Sequence, residues 1–385
     1  MAVYDKIIIL LVTLCLCVNF MKGQKIENDV ESCQTVDNEV GSCITVLQCP
    51  LYMQMLQFAR NNATAGQMLK RAHCGFEGTV PKVCCPRQAT ATTTSPKPSS
   101  NDRRESGDFV EALLEPPVCG MSNGSFGKVV GGDNATLGDF PWMALLGYRF
   151  RRGPTTLWMC GGSLVTRKHV ITAAHCIFAH EEDLFLVRLG ELNMERDDDG
   201  ANPIDVPIKT KIQHEDYSPN SYDNDIGILV LEKEVTFTDF IKPICIPKNN
   251  KERSQTFENH TPIVAGWGLI AFEGPAAVHL QAVQVPVVSN EICAEAYTQY
   301  KVRIGEGTLC AGYKSGGRDA CKGDSGGPLM QPILTENFKT AFYQIGVVGY
   351  GRRCGEPGYP GIYTRVTHFI PWIQEKLLGS VESLS

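Results

Sequence analysis

The sequence predicts an all-β principal domain behind a small disulfide-rich module, and three observations carry that expectation. Beyond about residue 108 the chain is a succession of short apolar segments broken at frequent intervals by Gly, Pro and Asn, the pattern of strands and turns. Ahead of it, six cysteines crowd between positions 33 and 85. The two regions are joined by a stretch from Gln88 to about Asp108 that is rich in Ala, Thr, Ser and Pro, too polar to bury and too rich in Pro to pair in a sheet. A chain of 385 residues is long enough to bury a sizeable core and to hold more than one domain.

At the amino terminus, the apolar run from Ile7 to Phe20, preceded by Lys6, has the flanks of a signal-peptide core and falls short of the roughly 20 residues that span a bilayer. Residues 1–23 are therefore read as cleaved on secretion. Cys15 and Cys17 leave with them, so fourteen of the sixteen cysteines remain, an even number in an oxidising compartment, and seven disulfides are expected. Four sequons, at Asn62, Asn123, Asn134 and Asn259, agree with export.

The segment holding Cys33, Cys43, Cys49, Cys74, Cys84 and Cys85 is too short to stabilise itself by apolar burial alone. Three disulfides, each worth roughly 2 to 5 kcal/mol, supply what the core lacks. Zinc is the less favoured reading, because the spacing has no paired C-x-x-C knuckles. Within the principal domain the apolar segments include Met143 to Leu146, Val170 to Ala173, Ile226 to Leu231, Pro262 to Gly266 and Ile345 to Val348. At its end Phe369, Trp372, Ile373 and Leu377 fall at helical spacing behind Pro371, which predicts one amphipathic closing helix. The net charge is -6 and the basic residues are scattered, so neither a nucleic-acid nor a membrane partner is expected.

Chemistry concentrates in three separated segments. Lys322-Gly323-Asp324-Ser325-Gly326-Gly327-Pro328 presents a serine between glycines, Thr172-Ala173-Ala174-His175-Cys176 an imidazole, and Asp223-Asn224-Asp225-Ile226-Gly227 a carboxylate. A serine hydroxyl attacks a carbonyl only when a base takes its proton and a third group fixes the tautomer of that base. His175, Asp225 and Ser325 are those three types, and their order along the chain differs from that of subtilisin-like and hydrolase-fold enzymes.

With Ala173-Ala174-His175-Cys176, Asp225-Ile226-Gly227-Ile228-Leu229, Gly266-Trp267-Gly268, Gly323 to Pro328, and Pro360 to Val366 in place, residues 129–378 resemble a trypsin-like serine protease of the chymotrypsin family. The resemblance implies two antiparallel β-barrels with a C-terminal helix and no cofactor for the chemistry. It implies an oxyanion hole from the N–H groups of Gly323 and Ser325. Asp319 matches the pocket floor that selects Lys or Arg, and Gly351 and Gly361 match the pocket walls. Lys128-Val129-Val130-Gly131-Gly132 resembles an activation site: cutting after Lys128 frees the amine of Val129 to pair with Asp324, and a trypsin-like enzyme is the implied activator. The implied bridges are Cys160–Cys176, Cys293–Cys310 and Cys321–Cys354, which leaves Cys119 for Cys245.

A six-cysteine unit (33–85), then a linker and light-chain tail (86–128), then a trypsin-like domain resembles the arthropod clip-domain proteases of the prophenoloxidase-activating or Toll-cascade type. That layout implies the pairs Cys33–Cys84, Cys43–Cys74 and Cys49–Cys85. It further implies secretion into haemolymph, downstream zymogens as substrates, a serpin-type inhibitor, and an outcome in melanisation or a Toll ligand; some venom enzymes share the layout. The rival reading is a catalytically weak clip-domain homologue acting as a binding cofactor, although no triad member is lost here. Two features depart from the pattern. Gly349 stands where the family usually has a serine bonded to the triad aspartate, and Arg352 and Arg353 occupy the pocket rim. The segment Glu191 to Asp199, with Glu191, Asp197, Asp198 and Asp199, lies in the loop that binds calcium in many relatives, and hard oxygen donors suit that ion, Glu191 and Asp198 being the candidate ligands; a solvated acidic loop is the other reading.

Overall fold

The structure is a computed structural model that describes residues 32–35, 40–49, 52, 63–77, 80–86, 113–124, 132–150, 153, 155–300, 302–317, 320–335 and 339–382. Residues 1–23, most of the linker, Asn62, Lys128, Val129 and Asp319 lie outside the described residues. The chain divides into two compact units, residues 1–98 and 99–385.

In the first unit, strands β1 (Ser32–Gln34), β2 (Val40–Thr45), β3 (His73–Glu77) and β4 (Val80–Pro86) form one antiparallel sheet in the order β1-β2-β4-β3. A helix at Ala63–Ala72 leads into β3. Successive side chains on a strand point to opposite faces, so the adjacent Cys84 and Cys85 reach different partners: Cys84 bonds Cys33, and Cys85 bonds Cys49. Cys43–Cys74 is the third bridge. Cys49, Tyr52, Ala72 and Val83 are almost fully buried, so the sulfurs form much of the core of this unit.

In the second unit, six antiparallel strands close into a barrel in the order β10 (Ile204–Gln213), β11 (Gly227–Leu231), β8 (His169–Thr172), β7 (Thr156–Leu164), β6 (Met143–Arg149), β9 (Leu184–Leu189). Closure is made by β10, which pairs β9 through Ile204 to Pro207 and β11 through Ile208 to Gln213. The remaining strands form one curled sheet in the order β14 (Val287–Val288), β15 (Thr308–Ala311), β18 (Gly361–Arg365), β17 (Thr340–Tyr350), β16 (Pro328–Leu334), β12 (Ile263–Gly266), β13 (Gln281–Gln284), β5 (Asp133–Asn134). All-antiparallel pairing on short strands is what the turn-rich apolar segments predict.

Trp142, Leu146, Leu164, Ile171, Leu189 and Ile228 pack in the barrel core at 0 % exposure. Trp142 and Phe342 meet at 5.4 Å between centroids, which joins the barrel to the curled sheet. The closing helix, Ile370–Glu382, buries Ile370, Ile373 and Leu377, and Trp372 Nε1 donates to Glu215 Oε2 at 2.7 Å. The segment 113–124 is tied down by Cys119–Cys245 and by Gly120, whose N–H donates to Pro243 O and whose carbonyl accepts from Phe342 N–H.

Candidate active site

His175 sits on the one-turn helix Ala174–Ile177 that follows β8, and Asp225 ends the loop that feeds β11. Strands β8 and β11 pair as neighbours, Gly227 opposite Thr172, so residues 50 positions apart in sequence are brought together at one end of the barrel. Asp225 grips the histidine twice: Oδ2 lies 2.7 Å from His175 Nδ1, and Oδ1 accepts the backbone N–H of His175 at 2.8 Å. The carboxylate is 2 % exposed and the imidazole 22 %, so one face of the ring opens to substrate while the orienting charge is covered. Thr364 Oγ1 on β18 donates to the Asp225 carbonyl at 2.7 Å and fixes its backbone from the other sheet.

Ser325 lies in the turn that enters β16. Its carbonyl accepts the N–H of Gly161 at 2.8 Å and lies 3.6 Å from the sulfur of Cys176, the residue after His175. Gly326, at φ +82°, comes so close to Thr172 and Gly161 that a Cβ there would fall 2.2 Å from Thr172 Oγ1. The serine turn is therefore pressed against the histidine-bearing segment because the position after the nucleophile has no side chain. Among the described residues neither Gly323 N–H nor Ser325 N–H donates to a protein acceptor, whereas Asp324 and Gly327 N–H both close the turn. Two free donors beside a serine are the requirement of an oxyanion hole.

Asp324 points its carboxyl inward between Gly266 and Gly268. Oδ1 accepts Gly268 N–H at 2.8 Å and Oδ2 accepts Cys321 N–H at 2.9 Å. Burial, with no cationic partner among the described residues, pushes this carboxyl up to about 6, against the pull of the two N–H donors. A Cβ built on Gly266 would lie 2.0 Å from Asp324 Oδ1, and one on Gly268 would lie 2.6 Å from its Cγ. The Gly-Trp-Gly triplet carries the family resemblance in the sequence without a role attached, and the structure supplies one: its glycines are the walls of the slot that receives Asp324. Gly268→Ala is expected to lower stability by about 1 to 3 kcal/mol through this collision, read as a depressed melting temperature. An unchanged melt would show that the slot has slack.

Gly351 follows the end of β17 and Gly361 opens β18, and the pairing of Tyr350 with Ile362 sets these two glycines side by side at one end of the ladder. Gly349 falls at a register shift between Val348 and Tyr350. A Cβ there would meet Ile362 O at 2.9 Å and stand 3.8 Å from Asp225 Oδ2. A cavity of about 520 Å³ lined in part by Asp225, Gly349, Tyr350 and Thr364 opens on this side of the aspartate. Tyr222, on left-handed backbone at φ +56°, stacks on Tyr350 at 4.6 Å and meets the His175 ring edge-on at 6.0 Å, an aromatic shelf that sequence reading missed.

The remaining bridges are Cys160–Cys176, Cys293–Cys310 and Cys321–Cys354, the last anchoring the serine turn to the pocket rim. Among the described residues the one group of metal-type donor atoms within 4.8 Å of one another is Cys160, His175 and Cys176, and its two sulfurs are joined as a disulfide, so they are not thiolate ligands. The acidic loop does not converge on a point. Glu191 accepts Leu192 N–H at 2.9 Å and faces Arg188, Asp198 is paired with Arg196 at 2.8 Å, and Asp199 accepts the N–H groups of Asn193 and Ala201. Donors already spent on their own chain do not fit the calcium site that the loop's composition suggests. Of the described sequons, Asn123 has its amide engaged with Asp239 O and Lys242, Asn134 Oδ1 accepts from Gln281 at 2.5 Å, and Asn259 is exposed at φ +62°.

A closed barrel and a curled sheet that bring an Asp–His pair against a glycine-flanked serine define the class of two-barrel serine endopeptidases. Residues 129–373 match the Trypsin family model, and residues 33–85 match that of the Regulatory CLIP domain of proteinases. This chain belongs to the clip-domain branch of the trypsin-like serine proteases, and it is a trypsin-like serine endopeptidase. It is 44 % identical to a venom serine protease of Bombus ignitus over 88 % of this chain and 90 % of that one. It is 39 % identical to the proclotting enzyme of Tachypleus tridentatus, covering 91 % of each. The crystal structure of the Drosophila Grass clip serine protease of the Toll pathway aligns with a TM-score of 0.61 at 28 % identity, over 91 % of this chain and 98 % of that chain.

Proposed function

We propose that the protein is a secreted zymogen which, once cut after Lys128, hydrolyses peptide bonds after Lys or Arg in an extracellular immune cascade. The observation that carries this reading is the two-point hold of Asp225 on His175 beside the serine turn. Ser325 Oγ attacks the scissile carbonyl carbon while His175 takes the hydroxyl proton. The new oxyanion faces the N–H groups of Gly323 and Ser325. The C–N bond then breaks, His175 returns the proton to the departing amine, and Ser325 is left as an ester. Water, deprotonated by His175, attacks that ester, and the acid product leaves with Ser325 restored. Throughout, Asp225 holds one tautomer of His175 and balances the imidazolium.

By the family resemblance Gly351 and Gly361 match the pocket walls and Asp319 the floor position, where a carboxylate selects a long basic side chain. After the cut Cys119–Cys245 keeps the light chain attached to the catalytic unit. The cascade assignment draws on relatives named for clotting and for the Toll pathway, with downstream zymogens as substrates, a trypsin-like enzyme as activator and a serpin-type inhibitor. Relationship to a venom protease supports a second reading, secretion into venom with the same chemistry; protein found in the venom gland and absent from haemolymph would select it.

The test is direct. The purified zymogen is cleaved after Lys128 and offered peptides that differ only in the residue before the scissile bond. Hydrolysis of the Lys and Arg peptides, appearing only after the cut, is the expected result. A preference for Phe or Leu would overturn the pocket assignment, and equal activity before the cut would overturn the zymogen.

A further inference from the structure

Two arginines stand side by side on the pocket rim, and the structure gives them opposite fates. Arg352 is spent: it pairs with Glu356 at 3.0 Å, its guanidinium lies 5.2 Å and 4.6 Å from the ring centroids of Tyr300 and Tyr359, and it donates to the Tyr300 hydroxyl. Arg353 is exposed, and among the described residues its guanidinium meets no carboxylate, even though Glu273 lies next to the ring it touches. That ring is Phe272, 5.8 Å from the guanidinium carbon and itself 41 % exposed.

Both arms of this contact hang from the nucleophile's turn. Arg353 precedes Cys354, whose bridge to Cys321 ends four residues before Ser325, and it follows the wall residue Gly351 by two. Phe272 lies on the loop that opens with Gly268 on Asp324 and with Leu269 N–H on Lys322 O at 2.7 Å. Arg353 and Cys354 both take left-handed backbone, φ 47° and 42°, which residues with side chains adopt rarely. On this backbone the Arg353 side chain reaches Phe272 on the loop after Gly268.

Building on the cleavage reading above, we propose that Arg353, braced on Phe272, is a specificity-determining residue that reads a carboxylate on the substrate shortly before the scissile basic residue. The assignment to that side uses the topology: His175, which protonates the departing amine, follows β8 of the closed barrel, whereas Arg353 follows the wall residue Gly351 at the end of β17 in the curled sheet, so it is assigned to the half of the substrate that stays on Ser325. An exposed guanidinium with an aromatic face behind it offers a planar pair of N–H donors to a carboxylate. The segment Met121 to Gly127 before this chain's own Lys128 contains no Asp or Glu, so the enzyme would be a poor activator of itself.

The experiment uses the activated full chain and peptides with Arg fixed before the scissile bond and Glu, Ala or Lys placed in turn at the two to four positions upstream. The expected result is a kcat/KM ratio of Glu over Ala of about tenfold at one position, falling with added salt. Arg353→Ala should bring that ratio close to one, Arg353→Glu should invert it in favour of Lys, and Phe272→Leu should lower it. A ratio of one at every position in the native enzyme, or a ratio that survives Arg353→Ala, overturns the proposal. Failure of the underlying cleavage reading looks different, because then no Arg peptide is hydrolysed at all.

Discussion

Activated protein carrying Ser325→Ala is expected to hydrolyse arginyl amides roughly 10⁶-fold more slowly than the native enzyme, while melting at the same temperature. The substitution removes one oxygen and nothing that holds the turn. The Ser325 carbonyl still accepts from Gly161 N–H, and Gly326 N–H still donates to Val348 O. The Asp225 grip on His175 is built without the serine hydroxyl and persists. The residual rate, set by the free N–H donors and by substrate binding, lies well above that of water. His175→Ala should fall by a similar factor, and the double variant should be little worse than either alone, because nucleophile and base act as one unit. A burst titrant that labels the native enzyme and leaves Ser325→Ala unlabelled would count the sites. Residual activity above about 1 % would mean that another group serves as nucleophile, since even a single lost oxyanion donor costs 10² to 10³.

What the sequence made legible was chemistry carried by short contiguous words. His175, Asp225 and Ser325 each stand in a motif whose neighbours have local work, such as Gly326 at φ +82° against Thr172. The strand segments were legible for a similar reason, because Met143 to Leu146 and Val170 to Ala173 sit inside β6 and around β8 as runs of buried apolar residues. Properties that depend on what comes from elsewhere in the chain were not legible. The role of Gly266 and Gly268 requires Asp324, 56 residues beyond Gly268. Arg352 and Arg353 are the same residue type at successive positions, and only the arrival of Tyr300, Tyr359 and Glu356 on one side and Phe272 on the other separates them. The acidic loop shows the limit most clearly. Composition counts carboxylates, but whether they face a common point or their own N–H groups is decided by backbone geometry, and here Asp199 turns back on Asn193 and Ala201.

Asp324→Asn is expected to act in opposite directions before and after the cut. In the uncut chain burial raises the Asp324 carboxyl from 3.8 to about 6, so the folded state holds its proton more tightly than the unfolded state does. That contribution is intact below about pH 4 and is lost as pH rises through 6, a change of about 3 kcal/mol at neutrality. Asparagine stays neutral and escapes the loss, so the uncut variant should melt several degrees above the native zymogen at pH 7.5 and close to it at pH 4. Cleavage after Lys128 reverses the balance. In the proposed activation the ammonium of Val129 would give the native carboxylate a partner, while in the variant the amide would leave that charge uncompensated at a cost of about 3 to 5 kcal/mol. Amidase activity of the cut variant should therefore fall by about 10² to 10³ as the Gly323 and Ser325 donors lose their fixed position. Differential scanning at the two pH values measures the first half and arginyl amidase the second. A cut Asn variant with native activity would show that the new terminus does not act through Asp324, and an uncut variant with no gain at pH 7.5 would show that the carboxyl is not strained in the zymogen.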